Sequence, residues 1–201
     1  MTLRITISTL LVAAALWGGP ATWAGSPSRA YEGRIYDPGR LPPRDSTLEV
    51  RVGEEAPDFE LPAVSGGTAR LSRYRGSRNV VLSFVPAAWT PVCSDQWPGY
   101  NIAREIFEAH DAVVLGITVD NVPTLHAWTQ EMGGLWFPVL SDFWPHGRVA
   151  ETYGVLRSDG TSERALFVID KAGVIRYIDV HDINDRPGLE ALVRALERLG
   201  R

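Results

Sequence analysis

The sequence is poor in cysteine, and this scarcity excludes several kinds of protein. Cys93 is the only cysteine among the 201 residues, so these residues form no internal disulfide and no Cys-rich metal cluster. The 4 histidines also lack the spacing of metal ligands: His110, His126, His146 and His181. No phosphate-binding loop or dinucleotide-binding fingerprint is present. We therefore expect neither a resident metal nor a nucleotide cofactor.

An excess of charge of one sign is missing as well. The formal net charge is -4 at pH 7, which gives no reason to expect nucleic acid or an anionic membrane surface as a partner. Hydrophobic residues make up 45% of the chain and charged residues 22%, as is usual for a globular protein. A chain of this length accommodates one domain with appendages.

A hydrophobic run long enough to span a membrane is also absent near the N-terminus. Arg4 precedes a mostly apolar run at 5–17, and a Gly-Gly-Pro sequence then breaks the pattern before small residues. This predicts that residues 1–24 are an export signal, cleaved after Ala24, and that the protein works in the periplasm or elsewhere outside the cytoplasm. An uncleaved anchor is the alternative.

The rest of the chain divides into an arm and a domain. Residues 25–47 are rich in Gly, Pro, Ser and Arg, a composition that buries little surface and predicts a flexible, loosely packed arm. The domain at 48–201 begins with a hairpin around a Gly-Gly turn. Apolar and periodic patterns then predict strands at 80–85, 113–119, 137–140, 165–170 and 174–180, and helices from Cys93 to about His110, at 123–132, at 147–153 and from about Pro187.

This order of elements predicts an α/β domain of the thioredoxin-like kind. Strands that alternate with helices, followed by a terminal hairpin and helix, give a mixed central β-sheet with helices on both faces. The N-terminal β-hairpin lies outside this alternation. Fold alone does not define function, which depends on the residues of a site.

Cys93 lies where the apolar strand 80–85 leads into a helix. Unpaired N–H groups and the positive end of the helix dipole favour an anion at this place. They therefore favour a thiolate, which is the reactive form of cysteine. A buried structural thiol is the alternative, and position alone does not decide between the two.

The arrangement Pro86-x-x-x-Thr90-x-x-Cys93 resembles the active-site motif of the peroxiredoxins. Further segments resemble landmarks of that family: Gly53 to Phe59, Ser141-Asp142, Tyr153-Gly154-Val155 and Arg164 to Asp170. The resemblance covers about Leu48 to Leu199. It is greatest to one-cysteine members near the AhpE and bacterioferritin-comigratory-protein branches, and it too implies a thioredoxin-like fold.

The resemblance implies a role for each residue of the motif. Cys93 would be the nucleophile, the Thr90 hydroxyl would reach the sulfur and a bound oxygen, and Pro86 would shield the sulfur from water. Arg164 would supply a cation that favours the thiolate and holds a peroxide oxygen. Taken alone, Pro86 reads as a strand terminator and Arg164 as a solvated residue at the start of a strand.

Three residues near the motif differ from the family pattern. Gln96 occupies a position where many relatives carry an acid, so a network from that acid to an arginine is in doubt. Trp89 and Trp97 occupy positions where relatives often have phenylalanine or other apolar residues. We interpret them as walls of an apolar substrate pocket, which favours bulkier organic peroxides.

The function expected from these residues is that of a thiol peroxidase. Cys93 would reduce hydrogen peroxide or an organic hydroperoxide and become a sulfenic acid, which an external thiol or thioredoxin-like reductant would resolve. A homodimer is expected from the resemblance alone. One alternative is a thiol–disulfide oxidoreductase of the cell envelope, although Thr90 and Gln96 replace the second cysteine of a Cys-x-x-Cys motif. The other is a non-catalytic binding module.

Overall fold

A computed structural model describes residues 33–199, and their central feature is a five-stranded sheet. Its strands are β3 (Asn79–Phe84), β4 (Ala112–Thr118), β5 (Val139–Ser141), β6 (Arg164–Ile169) and β7 (Ile175–His181), and they lie in the order β5-β4-β3-β6-β7. The sheet is mixed, because β3 pairs in parallel with β4, and β4 with β5, while β6 runs antiparallel to both β3 and β7. A separate antiparallel hairpin consists of β1 (Glu60–Pro62) and β2 (Thr68–Arg70).

The described part of the chain also holds a 3₁₀ helix at Leu71–Tyr74 and five α-helices: α1 (Pro91–Ile102), α2 (Arg104–Ala109), α3 (Val122–Glu131), α4 (Arg148–Tyr153) and α5 (Leu189–Glu197). The sequence predicted one helical stretch from Cys93 to about His110, and the structure divides it at Ala103. Gly99 and Asn101 have low helix propensity near this break. The Asn101 side chain also bonds outside the helix, donating to the Gly134 carbonyl at 2.8 Å.

The two faces of the sheet bury different partners because side chains alternate along each strand. In β3, Leu82 and Phe84 face the hairpin and α4. Val81 and the following Val85 face the layer formed by α1, α2, α3 and α5. The sheet therefore has helices on both faces, and the fold is thioredoxin-like, as predicted.

The described part of the arm, residues 33–47, runs along this domain. Its composition predicted loose packing, yet Asp45 donates its backbone N–H to Glu163 at 2.6 Å, and Pro42 accepts from Arg157 at 3.2 Å. Extended backbone has N–H and C=O groups that no helix or sheet pairs, and bonds to the domain satisfy several of them in this segment. Residues 1–24 lie outside the described residues. Within 33–199, no helix has the length and apolar character needed to cross a membrane.

A buried carboxylate follows β5 and caps α4. Asp142 accepts hydrogen bonds from the backbone N–H groups of Val149 and Ala150, at 3.1 and 2.8 Å. These are N–H groups that the helix itself leaves unpaired at its N-terminus. Burial raises the pKa of Asp142 from 3.8 to about 6, against the opposing effect of these two hydrogen bonds.

This raised pKa predicts a pH dependence of stability. Because the native pKa exceeds the unfolded one, the contribution of Asp142 is complete below its unfolded value of 3.8 and is lost as the pH rises through about 6. At about pH 4, the variant Asp142→Asn should be less stable than the wild type by about 1–3 kcal/mol, since its NH₂ group leaves a helix N–H unpaired. The free energy of unfolding of the wild type minus that of the variant should fall between about pH 4 and 7. Urea titrations at a series of pH values measure it, and a constant or rising difference would contradict the assignment.

Candidate active site

The loop between β3 and α1 presents Cys93 at the first turn of the helix. Thr90 is the N-cap and Pro91 the first helical residue, a position where proline costs no hydrogen bond. Cys93 is 0% exposed. Trp89 has a φ of 62°, which is a strained conformation for a bulky residue. The backbone N–H of Ala88 donates to the Asp120 carboxylate at 2.8 Å and so ties this loop to the end of β4.

Arg164 brings a charged group into contact with this sulfur. It opens β6, which pairs with β3 so that Ala165 lies opposite Phe84. The register therefore brings the start of β6 to the end of β3, from which the cysteine loop leaves. Arg164 is 1% exposed, and its Nη2 lies 3.5 Å from Cys93 Sγ. A guanidinium buried at this distance stabilises a thiolate over a thiol.

The guanidinium is held by two neutral acceptors. Nε and Nη2 of Arg164 donate to the Ile183 carbonyl at 3.2 and 3.0 Å, and Nη1 donates to Gln96 Oε1 at 2.7 Å. Within residues 33–199, Arg164 has no carboxylate partner within salt-bridge distance. A thiolate at Cys93 is therefore the anion that this cation can pair with.

Gln96 is hydrogen-bonded to Arg164, although it lacks the charge of the acid that many relatives carry at this position. It is buried, and besides accepting from Arg164 it donates through Nε2 to the Tyr100 hydroxyl at 3.1 Å and to Ser83 Oγ at 3.3 Å. Burial raises the pKa of Tyr100, so the phenol stays neutral. Gln96 thus works as a bridge behind the arginine and does not line an open substrate pocket.

Trp97 is a core residue, and its interpretation as a pocket wall is wrong. It is 0% exposed, its Nε1 donates to Ser83 Oγ at 3.1 Å, and its ring lies 5.0 Å from that of Trp128. The physical reason is helical spacing: Trp97 follows Cys93 by one turn and so faces the sheet with it. Trp89 precedes the helix and is half-buried, so it is the member of the pair that can contact a substrate.

Thr90 and Pro86 lie where the motif predicts, before the helix. Thr90 Oγ1 donates to the Ala87 carbonyl at 2.9 Å. A hydroxyl has one proton to donate, so in this rotamer Thr90 meets a bound peroxide as an acceptor. Pro86 is buried directly after the end of β3. The roles of these residues in catalysis remain predictions.

Four residues of the site were not predicted from the sequence: Ser83, Tyr100, Asp120 and Ile183. For two of them, a sequence pattern could have indicated a place in the site. Ser83 is the one polar residue within the apolar run 80–85, and Tyr100 follows Gln96 by one helical turn. Ile183 acts through its backbone carbonyl, which no side-chain pattern reveals.

The fold and the site together define a class, a thioredoxin-like protein with a thiol at a helix N-terminus and a buried arginine on the neighbouring strand. Residues 52–178 match the AhpC/TSA family. The chain belongs to this family, the peroxiredoxins, and is a thiol peroxidase, an oxidoreductase.

Relatives and solved structures agree with this assignment. The chain is 39% identical over 132 residues to alkyl hydroperoxide reductase E of Mycobacterium tuberculosis, covering 65% of this chain and 86% of the relative. It is 35% identical over 161 residues to a chloroplastic 2-cysteine peroxiredoxin of Chattonella marina var. antiqua, covering 76% and 82%. The reduced 2-Cys peroxiredoxin of Plasmodium vivax superposes with a TM-score of 0.70 at 28% identity, covering 75% of this chain and 82% of that one.

Proposed function

We propose that the protein reduces hydrogen peroxide or an organic hydroperoxide with Cys93 as its single peroxidatic residue, and that an external thiol completes the cycle. The observation that carries this proposal is the 3.5 Å contact between Arg164 Nη2 and Cys93 Sγ in a buried site. A cation that has no carboxylate partner among the described residues, and that lies beside a lone thiol, favours the nucleophilic form of sulfur.

In the first half of the cycle, the Cys93 thiolate attacks one oxygen of the peroxide. An S–O bond forms and the O–O bond breaks, so sulfur loses two electrons and the peroxide gains them. The product is a sulfenic acid, and the leaving oxygen takes up a proton to become water or an alcohol. Negative charge moves from sulfur to that oxygen, so a guanidinium that contacts both lowers the barrier.

In the second half, the oxidised sulfur needs a partner thiol. The 201 residues hold no second cysteine, so an external thiol attacks the sulfenic acid, forms a mixed disulfide and releases water. A second thiol then attacks this disulfide, which returns Cys93 to its reduced form and leaves the reductant oxidised as a disulfide. A small thiol or a thioredoxin-like protein both satisfy this chemistry.

The direct test traps the sulfenic acid. Reduced protein is treated with one equivalent of hydrogen peroxide, or of an organic hydroperoxide, in the presence of dimedone, and its intact mass is measured beside that of Cys93→Ser. We expect a rapid adduct on the wild type and none on the variant. A wild type that forms no adduct with either oxidant contradicts the proposal and supports a binding module with a peroxiredoxin fold.

Three finer expectations belong to the same proposal. The pattern at 1–24 supports export and cleavage after Ala24, and the intact mass of protein recovered outside the cytoplasm checks both.

Family membership supports a homodimer, which sedimentation equilibrium measures. A preference for organic peroxides now depends on Trp89 alone, and equal rates across a panel of peroxides would contradict it.

A further inference from the structure

The arm contacts both sides of the active site. On one side, Tyr36 donates its backbone N–H to the Trp89 carbonyl at 2.8 Å, directly before the N-cap of α1. On the other side, the arm meets the loop after β7, where the backbone N–H of Ile183 donates to the Pro43 carbonyl at 3.3 Å. One extended segment thus links the cysteine loop with the loop that holds Arg164.

Asn184 forms the most complete of these contacts. Its Oδ1 accepts from the backbone N–H of Leu41 and its Nδ2 donates to the Leu41 carbonyl, both at 2.9 Å. The side-chain amide therefore satisfies both backbone groups of one arm residue. Its Nδ2 also donates to Asp182 Oδ1 at 2.7 Å. We call Leu41, Asp182 and Asn184 the arm clasp.

The arm clasp is joined to Arg164 through one peptide unit. The Ile183 carbonyl, which accepts two hydrogen bonds from Arg164, belongs to the same planar peptide as the N–H of Asn184. That N–H donates to Asp182 Oδ1 at 2.9 Å. Because the peptide is planar, fixing its N–H on the arm side also fixes the direction of its carbonyl on the arginine side.

Two hydrogen bonds to a single carbonyl determine the orientation of a guanidinium plane. In this orientation, Nη2 of Arg164 points at Cys93 Sγ and Nη1 at Gln96 Oε1. We propose that Asn184 is a positioning residue of the peroxidatic site, which uses the arm to hold the Ile183 carbonyl and thereby aims Arg164 at the sulfur. This inference rests on the proposed role of Cys93 as the nucleophile.

The test compares Asn184→Ala with the wild type by the rate of the dimedone adduct and by the ultraviolet absorbance of the thiolate, both as functions of pH. We expect the midpoint of the thiol titration to move to higher pH, and the rate to be lower by up to about tenfold at pH values below the wild-type midpoint and to recover at higher pH. A purely structural role would lower the amount of folded protein and leave the midpoint unchanged.

Ser158→Ala is the matched control, because it removes a different hydrogen bond of the arm, from Ser158 to Asp45. Its midpoint should equal that of the wild type. Leu41→Pro is a second variant. It removes the backbone N–H that donates to Asn184 Oδ1 and changes no residue of the loop after β7. The midpoint of the thiol titration should therefore move to higher pH, but by less than in Asn184→Ala. This second variant keeps the test decisive if Asn184→Ala fails to fold.

The outcomes separate this inference from the proposed function. A wild type that forms no adduct overturns the role of Cys93 itself. A wild type that reacts, beside Asn184 and Leu41 variants with unchanged midpoints, overturns the positioning role and leaves the peroxidase in place. An equal shift in Ser158→Ala also overturns it, because the effect would then belong to any loosening of the arm.

Discussion

Replacing Arg164 with methionine should slow the oxidation of Cys93 by about a hundredfold or more, which is the usual cost of removing a preorganised donor from a developing anion. Methionine keeps much of the apolar volume of the arginine stem and removes the charge. The variant loses the contact at 3.5 Å to Sγ and with it the stabilisation of both the thiolate and the leaving oxygen. The second-order rate of adduct formation, measured over a range of peroxide concentrations, gives the effect directly.

Two further variants make this result specific. Arg194→Met removes an exposed arginine of α5 that pairs with Glu190, so its rate should equal that of the wild type. Arg164→Lys keeps the charge and loses the paired donors, so it should fall between the wild type and the methionine variant. A rate for Arg164→Met within about threefold of the wild type would show that Arg164 does not act on the reacting atoms.

The proposed reacting pair, Cys93 and Arg164, could be named from the sequence because weak local signals were joined to the resemblance to peroxiredoxins. Cys93 follows a buried strand and opens a helix, and Arg164 opens an apolar strand where a charge is unusual. Their contact nevertheless depends on the antiparallel register of β3 and β6, which arises from long-range pairing. The resemblance to peroxiredoxins supplied that step.

The surroundings of this pair were harder to predict, for a physical reason. A tryptophan beside an active-site motif can line a pocket or enter the core, and the choice for Trp97 depends on space left by β4. Whether Gln96 reaches the arginine likewise depends on how α1 packs. The arm illustrates a further limit: its composition predicts little buried surface, and most of its described residues, 33–47, are exposed. Composition says nothing about backbone hydrogen bonds to a distant asparagine.

Gly116 provides the space for Trp97, and enlarging it should destabilise the protein strongly. It lies on β4 opposite Ser83 of β3, and a Cβ at this position would meet Trp97 Cζ2 at 2.8 Å. The indole cannot easily retreat, because Trp128 packs against it and its Nε1 is bonded to Ser83. We expect Gly116→Val to lower the free energy of unfolding by about 3 kcal/mol, as measured by urea titration.

Gly99→Ala is the control for this prediction. Gly99 lies within α1, and its added Cβ would meet only Arg186 Nη1 at an ordinary 3.6 Å. Alanine favours a helix over glycine by up to about 1 kcal/mol, so this variant should be as stable as the wild type or more so. Because Trp97 and Cys93 share one face of α1, Gly116→Val should also slow adduct formation in the protein that remains folded. If Gly116→Val loses no more stability than Gly99→Ala, the packing of Trp97 against β4 is not what fixes the helix that carries Cys93.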